Sequence, residues 1–393
     1  MTSTDVTASA TNLPDDYGCL PNEAYTDPAY FEQERRTVLS STWQFAGRAS
    51  AVPDPGDMLP TSVAATPVFL VRQRSGEIAA FYNVCPHRGA KVLPKPCKSA
   101  KTIICPYHTW SYNLDGTLRR RPHFDGADNH DVARDDDGVE RPSLWRVRAE
   151  VFMDWVFLNL DGNAEPLSTQ LQPLVDKLEG YDFANCVYGG ELTFDVRTNW
   201  KLAHENFLDI LHKIGIHPEL QKSSPIQTNV RYEWLSDDLA ISHHTVEEPF
   251  EGRGEGLPGL PGFPESMRRL GLSAHIYPNA NLQLWDGQLT LFSCTPLAPD
   301  HTIETFSVYF AEEAMGEQHR AHRDAVFDMW RHLNEQDIEP LIWMQEARNI
   351  PVFNGGSFSP YWDEMIAKYV EKLKTDTRGF ISSMTHAARS EPS

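Results

Sequence analysis

Two short strings place four potential metal ligands close together in the chain. Cys85-Pro86-His87 and Cys105-Pro106-Tyr107-His108 each contain one thiol and one imidazole, and seventeen residues separate the two strings. Two thiolates and two imidazoles suit a [2Fe–2S] cluster in which one iron takes the sulfurs and the other takes the ring nitrogens. Neutral histidine in place of anionic cysteine makes such a cluster easier to reduce. We therefore expect Cys85, His87, Cys105 and His108 to hold a cluster that accepts single electrons.

The same four residues also provide enough ligands for a structural zinc site, since two cysteines and two histidines can bind zinc tetrahedrally. Zinc sites more often pair like ligands, as C-x₂₋₄-C or H-x₃₋₅-H. Here each string mixes a cysteine with a histidine and has a proline directly after the cysteine. The pattern therefore favours the iron–sulfur cluster over zinc.

Length and composition limit the class of protein. With 393 residues the chain is long enough for two domains, each with its own core. No apolar run approaches the roughly eighteen residues of a membrane span, and the N-terminus does not resemble a secretory signal. Six thinly spread cysteines fit a reducing cytoplasm rather than a disulfide framework. The net charge of −20 argues against nucleic acid and anionic membranes as partners.

Hydrophobic periodicity divides the chain into a leading segment and two domains. Residues 1–45 contain an amphipathic helix and are expected to pack on the second domain. Residues 46–160 show short alternating runs separated by Gly, Pro and Asp, which predict a small antiparallel β domain. Residues 161–393 mix strands with helices, so the whole chain is predicted to be α+β. Helices in this last part are predicted near 199–214, 312–333 and 335–348.

Acidic and imidazole side chains recur in the first of these helices. Glu205, Asp209 and His212 are spaced i, i+4 and i+7, so a regular helix would place them on one face. His217 lies five residues past His212, which is about 140° around a regular helix. It can join His212 only if the helix bulges or ends between them, and a nearby glycine and proline favour such an end.

Two histidines need a carboxylate to complete an open iron site. A 2-His-1-carboxylate group leaves positions free for O₂ and is typical of non-haem Fe(II) oxygenases. Asp337 is the best candidate for the carboxylate, with Glu335 and Glu339 as its rivals. A lone His-x₄-His pair is weak evidence of a metal site. Beside a cluster that accepts single electrons it gains weight, because those electrons need an acceptor.

The combined motifs resemble the α subunit of the Rieske non-haem iron oxygenases, the superfamily that hydroxylates aromatic rings or removes N- or O-methyl groups. The resemblance rests on C-P-H-R-G, C-P-Y-H-T-W, N-W-K-x₃-E-N-x₂-D-x₂-H-x₄-H-P, Y-P-N and Q-D-I-E, in this order. It implies a Rieske domain followed by a catalytic domain of helix-grip type, with a curved antiparallel sheet. It also implies Fe(II) bound by His212, His217 and Asp337, and a homotrimer when no β subunit is present.

The resemblance further implies the activity of a terminal oxygenase. Such a component uses O₂ and electrons from a separate NAD(P)H-dependent reductase, of flavin or ferredoxin type, to hydroxylate or oxidatively demethylate a small organic substrate. Asp209 is expected to bridge the two metal centres by contacting His212 and a cluster histidine, with His108 of a neighbouring subunit as the best candidate. A Rieske electron carrier without oxygenase activity is the remote alternative.

The sequence limits the substrate only loosely. Phe207, Tyr277, Trp285 and Phe292 are candidate pocket residues, and their rings could stack on an aromatic substrate, which is the favoured class. The same rings could enclose a quaternary ammonium by cation–π contact, as in betaine or carnitine oxygenases. In carnitine-type enzymes the bridging acid is glutamate, so Asp209 counts against that alternative.

Overall fold

The structure is a computed structural model, and it describes residues 18–132, 141–226, 231–263, 269–353 and 355–388. The chain divides into two compact units: Leu39–Thr169 forms the smaller one, and the segments on either side of it form the larger one together. Within the described ranges, no helix is both long and apolar enough to cross a membrane. The first seventeen residues of the leading segment lie outside the described residues.

The smaller unit is built from antiparallel strands. A six-stranded sheet has the order β1-β10-β9-β4-β3-β2, and a four-stranded sheet has the order β5-β6-β7-β8. The first sheet contains almost continuous apolar strands, such as Val-Phe-Leu-Val in β3, and these are buried. The strands are β1 Gln44–Arg48, β2 Met58–Val63, β3 Thr66–Arg72, β4 Ile78–Tyr82, β5 Ile103–Ile104, β6 Ser111–Tyr112, β7 Leu118–Pro122, β8 His130–Val132, β9 Arg146–Phe152 and β10 Trp155–Asn159.

The larger unit contains a seven-stranded antiparallel sheet in the order β11-β17-β16-β15-β14-β13-β12. The strands β14 to β17 follow one another as hairpins, and every residue of β15 is buried. The strands are β11 Cys186–Val196, β12 Arg231–Trp234, β13 Leu239–Thr245, β14 Leu270–Ile276, β15 Ala280–Trp285, β16 Gln288–Ala298 and β17 His301–Ala311.

A long helix covers this sheet. It presents Val326, Trp330, Leu333 and Asp337 at steps of three or four residues, so these side chains share one face. The first three pack with Phe306 and other sheet residues in one hydrophobic cluster. The α-helices of the described chain are α1 Glu23–Thr26, α2 Pro28–Arg36, α3 Val38–Ser41, α4 Leu167–Lys177, α5 Trp200–Leu208, α6 Pro218–Ser223, α7 Arg320–Ala347 and α8 Glu364–Ala388.

The α+β class is confirmed, whereas three predicted helices were wrong in their bounds. The helix expected over 199–214 ends at Leu208, because Asp209 is extended with ψ 128°, and a short 3₁₀ turn over Leu211–Ile214 follows. The helices expected over 312–333 and 335–348 are one helix, α7, which continues through Pro340.

Candidate functional site

The two Cys/His strings form loops of the same backbone design. In the first loop, the Cys85 N–H donates to the Ala90 carbonyl and the Gly89 N–H donates back to the Cys85 carbonyl. In the second, the Cys105 N–H donates to the Trp110 carbonyl and the Thr109 N–H donates back to the Cys105 carbonyl. The fifth residue of each loop has a positive φ, 74° at Gly89 and 57° at Thr109. A non-glycine residue in this region costs about 1–2 kcal/mol, so the second loop keeps a strained turn.

These loops bury the sulfurs and leave the imidazoles partly exposed. Cys85 and Cys105 are 2% and 1% exposed, and Tyr112 Oη lies 3.2 Å from Cys85 Sγ. The rings of His87 and His108 lie 4.6 Å apart, and His87 stacks on Trp110 at the same distance. Burial, and then the neighbouring His108, lower the pKa of His87. The structure therefore brings all four predicted residues together, and the lowered pKa of His87 suits a neutral ligand.

The second predicted group also converges. Asp337 Oδ1 lies 3.0 Å from His217 Nε2 and 3.7 Å from His212 Nε2. One ligand atom from each of the three residues lies within 4.8 Å of the other two. Asp337 Oδ1 is buried and has no hydrogen-bond partner in the described chain that satisfies both distance and angle. A buried carboxylate oxygen facing two imidazoles fits the ligand set of a divalent iron.

Local breaks in the helices make this convergence possible. Because α5 ends at Leu208, the chain turns before His212, and His217 stands at the N-cap of α6 directly before Pro218. Pro218 occupies a position where a missing N–H costs little.

The three candidate carboxylates lie on two different faces of helix α7. Asp337 lies on the buried face of α7, whereas Glu335 and Glu339 are exposed and lie outside the ligand group. The predicted carboxylate is thus distinguished from its rivals by its place on the helix. Glu205, which the regular helix would have placed beside Asp209, instead accepts a hydrogen bond from the Tyr25 hydroxyl at 2.8 Å.

Polar groups stand behind the two histidines, and the one behind His217 lies within hydrogen-bonding distance. Gln336 Oε1 lies 2.7 Å from His217 Nδ1, and Asp209 Oδ2 lies 3.5 Å from His212 Nδ1. The Gln336 amide donates to Glu219 Oε1 at 3.0 Å, which fixes the amide's orientation. Groups in this position set the tautomer and the ring orientation of metal-binding histidines. The sequence analysis missed Gln336, although it is the neighbour of Asp337 in the Q-D-I-E motif.

A cavity of about 120 Å³ adjoins the His/Asp group. The rings of Phe207, Tyr232, Trp285 and Trp330 line it, together with Leu333 on the same face of α7 as Asp337. Two of the predicted pocket residues, Phe207 and Trp285, are therefore in the lining.

The other two predicted pocket residues lie in the core rather than in the lining. Phe292 stacks on Phe207 from behind, with ring centroids 4.1 Å apart. The Tyr277 hydroxyl donates to Asp376 at 2.8 Å, and the ring packs near Tyr369. Aromatic residue type alone did not show which way these strand side chains point.

Two basic residues that the sequence analysis missed also line the cavity. Arg253 and Lys213 are 5% and 7% exposed. Burial lowers the pKa of Lys213 to about 8, with the charge of Arg253 adding to the effect, and burial lowers the pKa of Arg253 to about 10. Burial, followed by the charges of these two residues, lowers the pKa of His244 to about 3. The imidazole of His244 is therefore neutral between two cations at neutral pH.

Comparisons with known proteins identify the two domains in which these residues lie. The family model of the Rieske [2Fe-2S] domain matches residues 42–131, and that of the ring hydroxylating alpha subunit (catalytic domain) matches residues 183–375. The carnitine monooxygenase oxygenase subunit of Escherichia coli (strain K12) is 26% identical over 337 residues, which cover 81% of this chain and 84% of the relative. The 2-aminobenzenesulfonate 2,3-dioxygenase subunit alpha of Alcaligenes sp is 25% identical over 302 residues, or 72% of each chain.

A solved structure shares the fold. The quaternary ammonium Rieske monooxygenase CntA superposes with a TM-score of 0.75 at 19% identity, covering 92% of this chain and 97% of the other. The chain therefore belongs to the Rieske non-haem iron oxygenases, as a terminal oxygenase subunit with a Rieske [2Fe–2S] cluster and a mononuclear iron.

Proposed function

We propose that this subunit oxygenates a small aromatic substrate held in the cavity beside an iron bound by His212, His217 and Asp337. The observation that carries the proposal is the convergence of these three side chains at a cavity lined by four aromatic rings. Cys85, His87, Cys105 and His108 hold the cluster in this proposal. When bound, the cluster and the iron supply single-electron transfer and O₂ activation.

The protein's own residues position and shield the reaction. The apolar rings of Phe207, Trp285 and Trp330 exclude water from the cavity, which strengthens electrostatic interactions within it. Gln336 holds the His217 ring through Nδ1, which leaves Nε2 free for the metal.

Asp209 links the two centres in this proposal. One of its oxygens faces His212 Nδ1, and its carboxylate also accepts the Leu211 N–H at 2.6 Å, which holds it in place. We propose that it also contacts a cluster histidine of a neighbouring subunit, with His108 as the candidate. The oligomer, a homotrimer in this proposal, is then required for catalysis.

Oxygen uptake tests the proposal. Iron-loaded protein, NADH and a purified ferredoxin-type reductase are mixed with a panel of aromatic acids, neutral arenes and methylated amines. We expect at least one aromatic compound to stimulate O₂ uptake and to yield an oxygenated product. Asp209→Asn should keep its iron and a reducible cluster but form almost no product, because the link between the centres is lost. Substantial product from Asp209→Asn would contradict the bridging role.

A quaternary ammonium substrate is the second candidate. It is favoured by the 26% identity to a carnitine monooxygenase oxygenase subunit, and aromatic rings are suitable partners for such cations. Uptake stimulated by methylated amines and by no aromatic compound would select this candidate.

A further inference from the structure

Two buried cations share the cavity with the iron ligands, and neither forms an ion pair in the described chain. Arg253 Nε and Nη1 are buried without a hydrogen-bond partner among the described residues. Lys213 Nζ donates to the Ser224 carbonyl at 2.6 Å, which satisfies one of its three protons. Burying a guanidinium with two unpaired donor nitrogens costs free energy unless an acceptor binds them.

The acids near the cavity do not neutralise these cations. Asp209 and Asp337 are the two carboxylates among its described lining residues, and both stand at the histidine end. Glu255 is an exposed neighbour whose charge raises the pKa of Arg253, opposing the effect of burial. Its carboxylate accepts the backbone N–H of Arg253 at 3.0 Å rather than a guanidinium N–H.

Neutral polar groups surround the cationic end. Ser242 Oγ and His244 Nε2 lie 3.2 Å apart, and Gln283 donates to Ser273 Oγ at 2.7 Å. All four line the cavity. They add hydrogen-bonding capacity without adding negative charge.

We infer that Arg253 and Lys213 form a subsite for an anionic group of the substrate, a carboxylate or sulfonate, with the apolar part of the molecule between this subsite and the iron. The inference rests on the proposed function, because it uses the same cavity. Guanidinium is suited to a carboxylate or sulfonate, since its planar set of donors can form two parallel hydrogen bonds. The anion supplies the acceptors that Arg253 lacks in the described chain.

The position of Arg253 also limits where a cationic substrate group could bind. Its guanidinium carbon lies 4.2 Å from the centroid of the Trp285 ring, so this face of the ring already carries a cation. A quaternary ammonium placed there would meet a like charge instead of a free aromatic face. If the substrate carries an ammonium group, we expect that group to bind away from this face of Trp285 and the anionic end to bind at Arg253.

Matched ligand pairs test the subsite without turnover. Binding of benzoate against benzamide, and of glycine betaine against choline, is measured by quenching of tryptophan fluorescence, since Trp285 and Trp330 line the cavity. Within each pair the bodies are similar and the carboxylate is the main difference. We expect the carboxylate member of at least one pair to bind about tenfold more tightly or better, as charge-assisted hydrogen bonds predict.

Substitutions locate the preference. Arg253→Gln should reduce the preference for the carboxylate ligand about tenfold. Adding Lys213→Met should reduce this preference further, whereas Arg253→Lys alone should retain part of it. Lys222→Met is the matched control, because this exposed lysine pairs with Glu248 outside the cavity and its removal changes the net charge equally. Iron content and cluster absorbance are measured for every variant to show that both centres are intact.

Three results would overturn the inference. The first is that neither benzoate nor glycine betaine binds, and the second is that benzamide and choline both bind as tightly as their carboxylate counterparts or more tightly. The third is a preference for the carboxylate that survives both Arg253→Gln and Lys213→Met. None of these results would affect the proposed iron ligands or substrate-dependent oxygen uptake. A failure of the subsite is therefore distinguishable from a failure of the proposed function.

Discussion

At the scale of single residues, Gln336 explains how the ring of His217 is fixed. Its side-chain oxygen faces His217 Nδ1, while its amide is held by Glu219. We expect Gln336→Leu to weaken binding of the mononuclear iron about 10- to 100-fold, because the ring loses its orienting acceptor. Competition with a chelator, followed by iron analysis, measures this affinity.

The variants Gln336→Glu and Glu335→Gln serve as controls. Gln336→Glu keeps an acceptor toward Nδ1 and should retain most of the affinity. Glu335 is an exposed neighbour on α7, so Glu335→Gln should have no effect. Equal iron affinity in Gln336→Leu and the parent would show that Gln336 does not support the metal site.

Residue spacing could predict the iron–sulfur motif, whereas the complete His/Asp group was predicted only from the family resemblance, and neither indicates the full cavity. The four cluster residues lie in two short strings, so local spacing brings the members of each pair together. Arg253 lies in a stretch rich in glycine and proline, where no periodicity shows which side chains turn inward. Nothing in the sequence around Lys213 distinguishes it from a surface lysine, and only the tertiary fold shows that it is buried.

At the scale of elements, a buried ion pair joins helices α2 and α5. Lys201 Nζ lies 2.7 Å from Glu34 Oε1, and the two side chains are 0% and 1% exposed. The Trp200 indole N–H also donates to Glu34, at 3.2 Å. Helix α5 leads directly into Asp209 and His212, so this pair anchors the start of the segment that carries them.

We expect Glu34→Leu to destabilise the protein by about 3–5 kcal/mol, because it leaves Lys201 charged and buried without its partner. The unfolding midpoint in a thermal melt should fall clearly. The double variant Glu34→Leu/Lys201→Met should recover much of the loss, since both charges are removed.

Glu32 on the same helix provides a matched comparison. It pairs with Arg35 and Arg36 at the surface, so Glu32→Leu should cost at most about 1 kcal/mol. If Glu34→Leu lowered the unfolding midpoint no more than Glu32→Leu does, this result would contradict the structural role assigned to the buried pair.

Helix ends explain why α5 was predicted too long. The hydrophobic pattern continues past Leu208, but Asp209 adopts an extended backbone and its side chain accepts the Leu211 N–H instead of continuing the helix. An aspartate side chain that bonds to the backbone two residues on competes with helix formation. The break allows His212 and His217 to face the same point. The candidate site therefore lies where the hydrophobic periodicity wrongly predicts a continuous helix.

At the scale of the whole molecule, two separately packed units carry two kinds of ligand set. The smaller unit presents Cys85, His87, Cys105 and His108, and the larger one presents the His/Asp group and its cavity. Electrons delivered by a reductase to the first set are used at the second in the proposed function. The account therefore depends on a chain that holds both centres at once.

Iron and acid-labile sulfide analysis of the purified protein tests this claim most directly. We predict about three irons and two sulfides per chain, two irons in the cluster and one at the His/Asp site. Asp337→Ala should retain about two irons, both sulfides and a reducible cluster, whereas Glu339→Ala should match the parent. A parent protein with two irons, or a third iron that survives in Asp337→Ala and is lost in Glu339→Ala, would contradict the account.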